Sequence, residues 1–179
     1  GFSPTPRDKF LPYGKQVIDE NDIKSVVNIL NGDYLTTGPA VSEFEKKIAD
    51  YVGSKYAVSV SNGTAALHIA CLSAGIKEGD EVITTPMTFA ASANCILYCG
   101  AKPVFVDIDK ETYNINVNEI EKKITPKTKA IIPVHFTGQS VDLDPILELA
   151  QKYNLIVIED AAHALGTKYK GKFIGSISD

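Results

Sequence analysis

Between residues 56 and 159 the chain alternates short, largely apolar runs with segments of helical periodicity, and this restricts the fold more than any other feature. Tyr56–Val60, Glu81–Thr84, Pro103–Asp107, Ala130–Val134 and Leu155–Glu159 read as strands. Thr64–Ala74, Phe89–Tyr98, Val117–Ile124 and Leu143–Tyr153 read as the helices between them. Strands that are apolar on both sides need cover on both faces, and a helix between successive strands carries the chain back to the same edge. The pattern therefore predicts an α/β fold, a mostly parallel sheet with helices on both faces. Upstream, Ile23, Val26, Val27 and Leu30 predict a helix over Asp19–Asn31. Val41, Phe44, Ile48, Tyr51 and Val52 predict another over Pro39–Val52, with Pro39 in its first turn and Gly53 ending it. A Pro-containing arm over 1–13 precedes one domain over 14–179. Because another β-α unit is expected after Gly175–Asp179, that domain reads as partial.

Hydrophobic residues make up 44% of the 179 and charged residues 22%, a globular composition that excludes disordered, collagen-like and coiled-coil chains. Eighteen Lys and Arg against 22 Asp and Glu leave a net charge of -4, with no basic stripe to follow a phosphate backbone. Nucleic acid is thereby disfavoured as a partner. Apolar runs such as Leu155–Ile158 are far shorter than the ~20 residues of a membrane helix, and Gly1–Arg7 has no apolar leader, so no membrane association and a cytoplasmic location are expected. Cys71, Cys95 and Cys99 form no C-x-x-C pair and sit in apolar segments, as buried reduced thiols do. His68, His135 and His163 are too scattered to suggest a metal site.

In a parallel α/β sheet, ligands collect at the carboxyl ends of the strands, where helix N-termini present free N–H groups. Three segments fall there. Ser61–Ala65 joins a strand to a helix and combines Gly63, for close backbone approach, with the hydroxyls of Ser61 and Thr64. It suits a phosphate, or else is an ordinary capped turn. Phe89 follows a second strand end, either as a core aromatic or as a surface on which a planar ligand stacks. Asp160 and His163 close a third, as a carboxylate and an imidazole facing one ligand, or as a helix cap and a structural histidine. A phosphate nest, an aromatic plane and a carboxylate together suit pyridoxal phosphate. Gly166–Phe173 approaches a P-loop but has Phe173 where Ser or Thr belongs, and reads as a lysine-rich surface hairpin.

Tyr34–Pro39, Ser61–His68, Gly79–Pro86, Pro133–Gly138 and Ile158–Ala164 resemble, in order and spacing, the sugar-nucleotide aminotransferases of the DegT/DnrJ/EryC/StrS family. The resemblance implies an aspartate-aminotransferase-like (fold type I) large domain, of which 14–179 would be a part lacking the C-terminal small domain. It implies pyridoxal 5'-phosphate as cofactor, with Gly63, Thr64 and Ala65 around the phosphate, Phe89 on the ring face, Asp160 on the pyridine nitrogen and His163 near the ring hydroxyl. Tyr13, Asp33, Tyr34, Leu35 and Thr36 match positions that meet a UDP-sugar, glutamate is the implied amino donor, and a homodimer the implied assembly. Phe136–Gln139 with Ala90–Cys95 look most like the pseudaminic acid branch, and spore-coat polysaccharide aminotransferases are similar as well. The family's Schiff-base lysine lies in a Ser-Phe-His-x-x-Lys segment that is absent from these 179 residues, and Lys168, Lys170 and Lys172 precede its position. This chain alone is therefore expected to be inactive. A sugar 3-dehydratase, with histidine in place of that lysine, and a non-catalytic fragment or binding module stay open.

Overall fold

Neighbouring residues of each central strand face opposite sides of one sheet in a computed structural model of the chain, which describes residues 16–178. Strands β1 (Glu81–Thr84), β2 (Lys102–Phe105), β3 (Thr128–Ile131) and β4 (Ile156–Val157) are all parallel, in the order β2-β1-β3-β4. Val104, Ile83, Ile131 and Val157 align across it and enter one core with Ile115, Ile120, Ile146 and Leu155. Val82, Ala130, Ile132 and Ile158 enter the other, with Cys71, Cys95 and Ile96. The first core is covered by α5 (Val117–Ile120) and α6 (Leu143–Tyr153), the second by α3 (Gly63–Ser73) and α4 (Ala91–Tyr98). Full burial of an Ile or Val contributes about 1.5–3 kcal/mol, so two such rows account for the sheet's fixed register.

Clustered by contact, the chain forms two compact units, Gly1–Ser42 and Glu43–Asp179. The first contains α1 (Glu20–Leu30), capped at Asp19 by a reciprocal arrangement with Asp22, and the loop leading into α2 (Pro39–Val52). Tyr13 and the rest of the 1–13 arm lie outside the described residues. The second unit holds the sheet and a hairpin of β5 (Lys168–Tyr169) and β6 (Lys172–Phe173). Its turn places Lys170 and Gly171 at φ 48° and 85°, the positive-φ pair of a tight two-residue hairpin loop, so the P-loop look-alike is the expected lysine-rich hairpin. No helix among the described residues is long and apolar enough to cross a membrane.

Several boundaries move from expectation. Tyr56–Val60 is not a strand, although its alternation suits one. A strand needs a paired neighbour, and here the Ser59 N–H and hydroxyl both bind Glu45 Oε1 at 2.8 Å while Tyr56 and Val58 are 73% and 75% exposed. The helix expected from Phe89 begins at Ala91, and that expected over Val117–Ile124 ends at Ile120, continuing as a 3₁₀ turn over Glu121–Lys123. Cys71 and Cys95 are buried and Cys99 half-buried, all three as free thiols, and the neighbouring Cys95 thiol together with burial pushes Cys71 up.

Candidate active site

Because α3 and α4 each lead into a strand of the parallel sheet, their N-termini lie at its carboxyl side, where β1, β3 and β4 also end. At the start of α3 the capping side chain is Asn62, neither Ser61 nor Thr64: its Oδ1 accepts the Ala65 N–H at 2.9 Å. Such a cap contributes about 1 kcal/mol and uses the Ala65 amide. No acceptor among the described residues meets the Gly63 and Thr64 N–H groups, and a Cβ built on Gly63 would touch nothing within 4 Å. The α3 N-terminus thus keeps open space and unsatisfied donors for an anion.

Asp160 lies three residues beyond β4 and is 7% exposed. Pairing of the β3 and β4 segments continues past the strands to fix its backbone. Its N–H donates to the Pro133 carbonyl at 2.9 Å and its carbonyl accepts the His135 N–H at 3.1 Å. Its carboxylate accepts the Ser92 hydroxyl at 2.6 Å on Oδ2 and the Ala162 N–H at 3.3 Å on Oδ1. Phe89 behaves differently. Its carbonyl accepts the Ser92 N–H at 3.2 Å, and its ring is 79% exposed, so it is not the core aromatic that composition alone would allow. His163 is exposed, and its backbone carbonyl lies 2.9 Å from where a Cβ on Gly138 would sit. Glycine is required there twice over, by that approach and by φ 86°.

A second polar group of the same strand ends escaped the sequence reading. His135, fully buried, accepts the Val141 N–H on Nδ1 at 3.0 Å, so its ring hydrogen sits on Nε2 and points to Glu159 Oε2, 2.8 Å away. Glu159 Oε1 accepts the Ser178 hydroxyl at 2.6 Å and its N–H at 3.2 Å. Burial alone would raise the Glu159 pKa, but the hydrogen bonds from His135 and Ser178 outweigh it and hold the carboxyl below its ordinary range. Adjacent Glu159 and Asp160 take different partners, as alternation along an extended segment requires. That alternation was the available signal.

The expected substrate residues Asp33, Tyr34, Leu35 and Thr36 together line a hollow of about 370 Å³ in the N-terminal unit, with Tyr34 and Leu35 exposed. A groove of about 510 Å³ beside β4, lined by Ala70, Ala74, Ile156 and Ile158, reaches the Glu159–Ser178 pair. Among the described residues no group of three or more His, Cys, Asp or Glu could hold a metal ion.

The parallel α/β sheet, with the buried Asp160 carboxylate at a strand end against the first turn of α4, has the fold of the solved structures it matches, PLP-dependent sugar aminotransferases of fold type I. Residues 16–179 match the profile of the DegT/DnrJ/EryC1/StrS aminotransferase family, and the chain belongs to that family. The family's aminotransferases are PLP-dependent. The chain is 55% identical over 97% of its length to an uncharacterized protein of Methanocaldococcus jannaschii, covering 45% of it. It is 51% identical over 97% of its length to the spore coat polysaccharide biosynthesis protein SpsC of Bacillus subtilis (44% covered), and 49% over 90% to GDP-perosamine synthase of Caulobacter vibrioides (44% covered). Of solved structures, an aminotransferase from Psychrobacter cryohalolentis is similar with TM-score 0.89 and 41% identity, over 95% of this chain and 43% of that one. Helicobacter pylori PseC, an aminotransferase of pseudaminic acid biosynthesis, gives 0.88 and 34%, over 95% and 46%. The chain spans less than half the length of these relatives.

Proposed function

We propose that the intact gene product is a PLP-dependent aminotransferase that moves the amino group of glutamate to the 4-keto carbon of a UDP-sugar, of the kind used for pseudaminic acid, and works as a cytoplasmic homodimer. The observation that carries this reading is Asp160, a buried carboxylate at a parallel-strand end with its backbone pinned on both sides. The residues fit the cofactor: unsatisfied Gly63 and Thr64 amides over open space for a phosphate, an exposed Phe89 ring for a planar face, and a carboxylate for a ring nitrogen. When bound, pyridoxal phosphate supplies an electron-withdrawing ring that stabilises negative charge beside the amino carbon.

The chain's own residues prepare that chemistry. Asp160 holds a proton on the ring nitrogen, since a nearby opposite charge favours the charged form. Gly63 and Thr64 bind the phosphate through the positive end of α3, supported by Ala65 in its first turn. Phe89 would cover a ring face and keep water from it, and His163 would serve the ring hydroxyl. Tyr13 and the Asp33–Thr36 loop bind the nucleotide-sugar. The Ser-Phe-His-x-x-Lys segment that the family resemblance implies is absent from these 179 residues, so the proposed activity is assigned to the intact gene product.

Glutamate and a 4-keto UDP-sugar given to the intact gene product should yield a 4-amino sugar and an equal amount of 2-oxoglutarate, read by mass spectrometry. A 3-deoxy keto-sugar formed with 2-oxoglutarate and free ammonia, in place of the 4-amino sugar, identifies the 3-dehydratase instead, and no turnover with any nucleotide-linked keto-sugar leaves the binding module.

A further inference from the structure

The Asp160 carboxylate is held mainly by one side chain from another element. Ser92, fully buried in the first turn of α4, places its Oγ 2.6 Å from Asp160 Oδ2, 2.8 Å from Thr88 Oγ1 and 3.2 Å from the Phe89 carbonyl. A hydroxyl has one hydrogen and a carboxylate only accepts, so the short contact assigns that hydrogen to Asp160. The Thr88 hydroxyl must then donate to Ser92. The Phe89 carbonyl keeps the Ser92 N–H, and the Cys95 thiol closes the turn by donating to the Ser92 carbonyl at 3.3 Å. The result is a one-way chain of donors, Thr88 to Ser92 to Asp160, anchored in the loop that carries Phe89.

The terminal torsion of an aspartate is broad, so a pinned backbone does not by itself aim the carboxylate. On Oδ1 the Ala162 N–H lies at 3.3 Å, beyond the usual range for N–H to oxygen, which leaves Ser92 as the strong constraint. We infer that Ser92 is a positioning residue that aims the Asp160 carboxylate at the cofactor's ring nitrogen and, through the Phe89 backbone, sets the distance between that carboxylate and the ring-covering aromatic. This rests on the proposed cofactor role of Asp160.

The test compares binding of pyridoxamine phosphate with that of its 1-deaza analogue, which has C–H in place of the ring nitrogen, by titration calorimetry of the intact gene product. The wild type should prefer the natural ring, and Ser92→Ala should lose roughly tenfold of that preference, a hydrogen bond's worth, while binding the deaza analogue within about twofold of wild type. Ser92→Thr, which keeps the hydroxyl, should retain the preference, an outcome a packing role would not give. Should Ser92→Ala fail to fold, Thr88→Val, which removes the donor behind Ser92, should still lower the preference severalfold. Full preference in Ser92→Ala, or in Thr88→Val where Ser92→Ala does not fold, alongside its loss in Asp160→Asn, overturns the inference about Ser92 alone. Full preference in Asp160→Asn overturns the cofactor role of Asp160 and this inference with it.

Discussion

Asp160→Asn in the intact gene product should lower kcat/KM for amino transfer by roughly a thousandfold, the scale of losing one preorganised electrostatic partner of the reacting charge. The substitution is nearly isosteric, and its amide oxygen can still accept from Ser92, so the buried cluster keeps its packing. What it loses is negative charge beside the ring nitrogen, and with it the means of holding a proton there. The melting temperature should therefore move little while the single-turnover reaction with glutamate, followed by cofactor absorbance, slows. A variant within tenfold of wild type would remove Asp160 from the site.

The largest stability effect is expected at His135. Its fully buried ring bridges the Val141 amide and Glu159, so His135→Ala opens a cavity and takes one charged-acceptor hydrogen bond from a buried carboxylate. Together these should cost about 3–5 kcal/mol in urea unfolding. A loss below about 1 kcal/mol would mean that Glu159 is satisfied without it. The same cluster sets a pH dependence. Glu159 has a folded pKa below its unfolded value, so its contribution is fully present above the unfolded carboxylate range, near pH 4.3, and is lost as pH falls through the folded value. Glu159→Gln should flatten this acid limb while leaving the neutral-pH fold intact, and an unchanged limb would assign the acid sensitivity to other carboxylates.

How far the sequence anticipates these features depends on the range of the interaction. The parallel sheet was legible because β1, β3 and β4 with their flanks carry apolar residues for two cores in adjacent positions, such as Val82 with Ile83 and Ile131 with Ile132. Asp160 was legible because its place at a strand end is a local property. Ser92, His135 and Ser178 were not, because each matters through a partner 68, 24 or 19 residues away and spacing within one element carries no trace of it. Tyr56–Val60 shows the reverse: its local alternation is that of a strand, but pairing is non-local and the Ser59 amide goes to Glu45. At Ser61–Ala65 the helix start was legible but its cap was not: Asn62, in place of Ser61 or Thr64, reaches the Ala65 amide.

In the proposed site Asp160 keeps a proton on the ring nitrogen of a bound cofactor. The most direct measurement is the ¹⁵N spectrum of pyridoxamine phosphate labelled at the ring nitrogen and bound to the intact gene product. From about pH 6 to 9 the wild type should show a protonated, pyridinium-type resonance, and Asp160→Asn an unprotonated, pyridine-type one. A pyridine-type resonance in the wild type, or the same resonance in both proteins, would contradict the account.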